Sequence, residues 1–129
     1  LTEVGAILRD VIIAEEAVIS RYGGDEFVII LPGINYEEAY KIGLKIRDTV
    51  KDFVFLKDVS PYGDPAYHIK DVITASIGIA SYLDCITCQR KIEEDKNLFI
   101  KLADEAMYKA KEAGRDRVCL RRGDDTFQF

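Results

Sequence analysis

A pair of adjacent glycines, Gly23-Gly24, stands between two runs of strand-forming residues, Ala17-Val18-Ile19-Ser20 and Phe27-Val28-Ile29-Ile30-Leu31. No other feature narrows the possible folds as much. Two β-prone runs joined by so short a link read as a tight antiparallel hairpin. Glycine supplies the positive φ that hairpin turns require. Pro32-Gly33 stops the second run. That run is apolar at every position, which predicts a strand buried on both faces, inside a sheet covered by helices. Two carboxylates, Asp25 and Glu26, follow the glycines at the mouth of the second strand. Successive strand residues point to opposite faces, so one acid is expected on each side unless the turn twists them together. A hairpin needs no acids, and Asn-Gly would turn as well. Carboxylates beside bare glycine backbone, which a ligand can approach closely, suit a hard cation next to a phosphate ligand.

The rest of the chain alternates helical and strand patterns. Leu1, Val4, Leu8, Val11 and Ile12 have helical spacing, which predicts a helix from Leu1 to about Ile13. Asn35, with Glu38 three residues on, reads as a capping box opening a second helix. Its inward stripe is Ala39, Ile42, Gly43, Ile46 and Val50; Lys41, Lys45, Asp48 and Lys51 form a solvated face. Ser60-Pro61, Gly63 and Asp64-Pro65 mark a loop, and the flanking Phe53-Val54-Phe55 and Tyr67-His68-Ile69 could pair as a hairpin. Val72 to Ala80 reads as a strand in which Gly78 signals a close backbone approach or a bulge. Asp84 to Lys96 is polar and irregular. A third helix is predicted from about Asn97 to Ala113, with Leu98, Leu102, Ala103, Ala106, Met107 and Ala110 inward. Gly114 ends it as a left-handed cap. Val118-Cys119-Leu120 reads as a short last strand, and the end of the chain as a tail. This organisation gives one domain over residues 1–122 and a tail over 123–129.

Composition removes several function classes. A length of 129 residues is one domain in size, and 48% apolar residues suffice for a single core. The charged residues, 32% of the chain, mix both signs, as on an ordinary soluble surface. The net charge of −5, without a basic stripe, argues against nucleic acid as a partner. No apolar run is long enough to span a bilayer, and no secretory leader is visible. The three cysteines are an odd number and suggest no disulfide framework. Cys85 and Cys88 form a single CxxC, short of the four ligands of a structural zinc site, and His68 is the lone histidine. Free cytosolic thiols are the plainer reading, and His68 is a surface or strand residue more readily than a catalytic one.

Arg21-Tyr22-Gly23-Gly24-Asp25-Glu26-Phe27 matches, letter for letter, the signature of the GGDEF family, the diguanylate cyclases. Two further blocks follow in the family's order. Thr74-Ala75-Ser76-Ile77-Gly78-Ile79-Ala80 resembles its strand with a Ser-Ile-Gly core. The stretch from Ala103 to Arg115 resembles its last long helix and exit turn. The resemblance covers nearly the whole chain apart from 52–71 and 84–95. It implies an α/β (α+β) fold of the nucleotide-cyclase and polymerase-palm type, an antiparallel-rich sheet with packed helices. It also implies that two GTP molecules are condensed into cyclic di-GMP with release of two pyrophosphates, for bacterial second-messenger signalling. Asp25 and Glu26 would be catalytic and would ligate magnesium, two ions per active site. Gly23 and Gly24 would leave room for the nucleoside, and Lys111 and Arg115 would bind phosphate. Their spacing of four fits one helical face carried into the exit turn. Without the resemblance, these two cations would read as stabilisers of a helix C-terminus. The implied partners are GTP, a second copy of the chain and a fused sensor domain, in the cytoplasm, with or without a membrane anchor on the parent protein.

The sequence departs from the family pattern in two places. The family's first strand carries a metal-binding Asp and is followed by the residues that recognise guanine; neither precedes Leu1. That strand is expected between Phe27–Leu31 and Thr74–Ala80. A sheet cannot leave buried backbone groups unpaired, so the polypeptide is expected to have residues ahead of Leu1, and the bare stretch to be inactive. Many members also bind their product at an Arg-x-x-Asp ahead of the signature. Ala14-Glu15-Glu16-Ala17 holds that place, with Ala14 and Ala17 at the charged positions, so no product-inhibition site is expected there. The alternative from a different class is a non-catalytic GGDEF-like module that binds GTP or a protein partner. A zinc-dependent interaction module built on Cys85 and Cys88 has little support.

Overall fold

The computed structural model describes residues 1–14, 16–57, 67–87 and 91–129. Helix α1 spans Thr2–Val11 and buries Ile7, Leu8 and Val11. It is shorter than predicted because Ile12 is already extended (φ −91°, ψ 100°), and Leu1 is left 51% exposed. Strands β1 (Val18–Gly23) and β2 (Glu26–Ile30) form the expected antiparallel hairpin. Helix α2 spans Tyr36–Asp52 behind the capping box read from the sequence. The Asn35 side chain accepts the Glu38 N–H at 3.0 Å, and Glu38 accepts the Asn35 N–H at 3.4 Å. Two orphan donors at the helix start are thereby satisfied.

The centre of the body is the parallel pair β3 (Ser76–Ala80) and β4 (Arg117–Arg121), with Gly78 opposite Cys119. Parallel strands need a long crossover. Here it consists of a short helix, α3 (Tyr82–Cys85), and a long one, α4 (Ile92–Glu112). Gly78 and Cys119 face α4, where Ala106 and Ala110 are fully buried with Cys119. A methyl group on Gly78 would lie 2.1 Å from the Ala103 carbonyl oxygen and 2.2 Å from the Met107 nitrogen. The close backbone approach predicted at Gly78 is therefore present, and the small alanines of α4 permit it. The alternate residues, Ile79 and Val118, face α2, where a methyl on Gly43 would stand 3.2–3.3 Å from them. The result is three layers, helix on sheet on helix.

Several elements differ from the sequence prediction. Helix α4 starts at Ile92, not near Asn97. The polar run that looked irregular loads Glu93, Glu94 and Asp95 into its first turn, where carboxylates are favoured by the helix dipole. Asp95 turns inward, only 5% exposed, and accepts the Tyr82 hydroxyl at 2.8 Å. Residues 123–129, expected as a tail, include β5 (Phe127–Gln128), which pairs antiparallel with β4. Strand β3 starts at Ser76, and Val72 ahead of it is 76% exposed. The hairpin expected from residues 53–55 and 67–69 is a single bridge, Phe55 to Ile69; the loop between lies outside the described residues.

The strands form two sheets, β1–β2 and β3–β4–β5. No ladder joins β2 to β3 among the described residues, so β2 pairs there with β1 alone. This explains the correction at β2, which is not buried on both faces. Phe27, Ile29 and Leu31 pack onto the core of Ile7, Leu8, Val11, Ile12, Ile46, Val50 and Phe55, whereas Ile30 is 49% exposed. No helix among the described residues is long and apolar enough to cross a membrane.

Candidate functional site at the hairpin turn and the α4 exit

The hairpin turn is shifted by one residue from the glycine pair. Gly23 closes β1 opposite Glu26, so Gly24 and Asp25 make the bend. Gly24 takes φ +52°, the conformation asked of glycine at the first position of such a turn. The register slips between Arg21 and Gly23, a bulge that leaves Tyr22 unopposed and twists the end of the hairpin. Arg21 folds back over the turn, and its Nε and a terminal nitrogen donate to the Gly24 carbonyl at 2.9 and 2.7 Å. Beyond the presence of an arginine in the motif, nothing in the sequence signals this clamp. Asp25 is thus a turn residue and Glu26 the first residue of β2; both are exposed. A side chain on Gly23 or Gly24 would have nothing within 4 Å, so the backbone beside the two acids is open.

The second half of the site is the exit of α4. Gly114 takes φ +113°. The Arg115 N–H bonds the Ala110 carbonyl at 3.0 Å and the Gly114 N–H bonds that of Lys111 at 3.3 Å, the paired bonds of a Schellman cap. Lys111 is in the last turn of the helix, and its Nζ lies 3.8 Å from Glu26 Oε1. The fold therefore brings the hairpin acid and the α4 cation, 85 positions apart in sequence, to one place. Arg115 has left the helix: it takes φ +61° and Asp116 takes φ +47°. Two consecutive non-glycine residues in the left-handed region cost roughly 1–2 kcal/mol each. The two cations do not lie along one helical face, as their spacing suggested. Lys111 projects from the helix and Arg115 from the strained turn behind it.

Among the described residues, no three of His, Cys, Asp and Glu cluster closely enough to enclose a metal. Asp25 and Glu26 are two adjacent exposed carboxylates, and one or two carboxylates with phosphate oxygens could hold a hard cation. Ala14 and Ala17, at the positions expected for a product clamp, pack against the main core. Of the CxxC pair, Cys88 lies outside the described residues. The Cys85 sulfur is 3.3 Å from the Tyr36 hydroxyl and 3.4 Å from the Arg121 carbonyl. Burial, aided by Cys85, raises the Tyr36 hydroxyl above the usual tyrosine range. These contacts tie α2, α3 and β4 together and lead to neither half of the site. His68 is exposed, with φ +48°, beside the Phe55–Ile69 bridge.

Comparison with known proteins adds to this geometry. The family model described as diguanylate cyclase, GGDEF domain, matches residues 1–117. The Bacillus subtilis protein YhcK is 36% identical over 120 residues, covering 93% of this chain and 29% of that protein. The probable diguanylate cyclase DgcT of Escherichia coli is 33% identical over 110 residues, covering 84% of this chain and 21% of that protein. The chain thus spans less than a third of the length of these relatives. Among solved structures, the active GGEEF domain of a diguanylate cyclase from Vibrio cholerae superposes with a TM-score of 0.68 at 25% identity, over 95% of this chain and 66% of that one.

Proposed function

The chain belongs to the GGDEF domain family, and from that premise we propose that it is the catalytic domain of a diguanylate cyclase that condenses two GTP molecules into cyclic di-GMP. The observation that carries this reading is the approach of Lys111 Nζ to Glu26 Oε1 at 3.8 Å, beside the open backbone of Gly23 and Gly24. A cation beside a carboxylate on open backbone supports the reading of a site where a triphosphate would meet both.

In each half-reaction a ribose 3′-oxygen bonds to the α-phosphorus of the other GTP, and pyrophosphate leaves. Such transfers depend on positioning and charge neutralisation. Asp25 and Glu26 would hold magnesium, two ions per active site, which when bound neutralises the phosphates. The Asp25 carboxylate, exposed at the turn, accepts the 3′-hydroxyl proton. Lys111 exchanges Glu26 for phosphate as a point charge, and Arg115 supplies a planar fork for phosphate oxygens. Gly23 and Gly24 admit the nucleoside against the backbone. Two copies of the domain, each with one GTP, form the working unit. The domain takes in β5 as well as residues 1–122, because Phe127–Gln128 pair with β4, and it stands in the cytoplasm under a fused sensor.

The test uses the full-length protein, enforced as a dimer and incubated with GTP and magnesium, with the nucleotides separated afterwards. Cyclic di-GMP and pyrophosphate in a one-to-two ratio are expected. GTP binding without turnover over repeated preparations would favour a non-catalytic GGDEF-like module.

A further inference from the structure

Arg115 projects from a turn that its local hydrogen bonds hold only in part. Both Arg115 and Asp116 are left-handed, at φ +61° and +47°, a conformation that persists in non-glycine residues only where the surroundings fix it. Two contacts do so. Arg117 Nε donates to the Arg115 carbonyl at 2.9 Å from the first residue of β4. Lys51 Nζ reaches across from the last turn of α2 to Asp116 Oδ2 at 2.6 Å. The other Asp116 oxygen is buried without a hydrogen-bond partner among the described residues; Lys51 bonds this carboxylate directly, while Arg47 on the same helix acts on it only through its charge. Lys51 stands on a firm base. Val50, next to it, is 2% exposed, and α2 packs along β4 through Gly43 and Val118.

We propose that Lys51 is a positioning residue for Arg115, acting through Asp116 to hold the left-handed turn in the one arrangement that presents the Arg115 guanidinium to phosphate. The proposal rests on reading Arg115 as a phosphate ligand. It assigns Lys51, which had looked like part of an ordinary solvated helix face, a role across the sheet from the helix that carries Lys111. Lys111 does not depend on this turn, because α4 fixes it. Loss of the clamp therefore weakens GTP binding in inverse proportion to the fraction of molecules that keep Arg115 in place.

The full-length protein is compared with Lys51→Met, Lys51→Arg, Arg115→Ala and the double variant Lys51→Met/Arg115→Ala. GTP KM and kcat are measured, with amide nitrogen relaxation at Arg115 and Asp116. If the competent fraction falls to about a third, Lys51→Met raises KM about threefold at nearly unchanged kcat. Lys51→Arg is expected to restore it, and Lys51→Met to add nothing once Arg115 is alanine. The same KM increase in both backgrounds, a fall in kcat alone, or failure of Lys51→Arg to rescue would overturn the proposal. If Arg115→Ala leaves KM unchanged, the phosphate reading itself fails. The relaxation data then judge the clamp by themselves: increased motion at Arg115 and Asp116 in Lys51→Met upholds it, and unchanged motion overturns it.

Discussion

The β3–β4 body and the β1–β2 hairpin are built to opposite standards. In β4 the four residues from Val118 to Arg121 are buried, and α4 lies so close that Gly78 has no room for a methyl group. In the hairpin no residue from Val18 to Ile30 is fully buried, and its two turn-end glycines face open space. Among the described residues the two regions share no strand ladder. The ion pair from Lys111 to Glu26 at 3.8 Å links the body to the hairpin at the site, and both partners are too exposed for it to hold the two together firmly. The contrast separates two tasks. The body fixes where Lys111 and Arg115, the proposed phosphate ligands, stand, and the hairpin presents the carboxylates on an open backbone.

The largest effect should come from breaking the body. Gly78→Ala puts a methyl 2.1 Å from the Ala103 carbonyl oxygen and 2.8 Å from Met107 Cα, both backbone atoms. No rotamer can relieve that, so α4 must move off the sheet, at a cost of about 3 kcal/mol or more. Thermal unfolding followed by circular dichroism should shift down by about 10 °C. A shift of only a degree or two would mean that the helix is not seated on β3 as described, and the contrast would dissolve.

Asp25→Asn tests the other side. It removes a charge without changing volume at an exposed turn position, so the melting temperature should hold. Turnover should fall by about a hundredfold or more, since stabilisation of phosphate charge by a held metal amounts to several kcal/mol. Near-normal kcat would remove Asp25 from the metal set and leave the hairpin without its proposed task.

What could be read from the sequence was chiefly local. The capping box at Asn35, the left-handed cap at Gly114 and the hairpin around Gly24 each depend on neighbours within a few positions. Gly78 was legible because a glycine inside a strand of small residues points to backbone packed close against it. The features that stayed hidden are long-range. The pairing of Phe127 and Gln128 with β4 and the reach of Lys51 to Asp116 join positions whose proximity only the fold creates. The early start of α4 was masked by acids that looked like a loop until the buried Asp95 gave that turn an inner face. The apolar run of β2 implied burial on both faces, which depends on a neighbouring strand that its own residues cannot supply. At the site, the open glycines and adjacent acids were legible, whereas the Arg21 clamp and the left-handed Arg115 were not.

A third variant compares the two regions at the same residue type. Gly24→Ala meets nothing within 4 Å, but it must hold φ +52°. The penalty is conformational, about 1 kcal/mol, against the steric one at Gly78. Denaturant titration should show a small fall in midpoint with unchanged slope. A loss as large as that of Gly78→Ala would show that the hairpin supports the fold as much as the body does.

The smallest expected effect is none at all, and it concerns the entry to the hairpin. A product clamp there would need an arginine to fork onto a guanine edge or phosphate and an aspartate to answer it. Ala14 and Ala17 occupy those positions and pack as small apolar groups against the core around Ile7 and Val11. Arg21, the nearest arginine in the signature, is engaged with the Gly24 carbonyl. Cyclic di-GMP at micromolar concentration should therefore give no tight heat signal in calorimetry, and progress curves should stay straight until GTP runs low. Replacing Ala14 with Arg and Ala17 with Asp should create weak inhibition at most, because both side chains would have to leave the core face to reach a ligand. A tight complex of the unaltered protein mapped to residues 14–17 would contradict this. It would require Arg21 to abandon the turn, so the turn and the product site would be coupled through one guanidinium, and the hairpin would be a regulated element instead of an open platform.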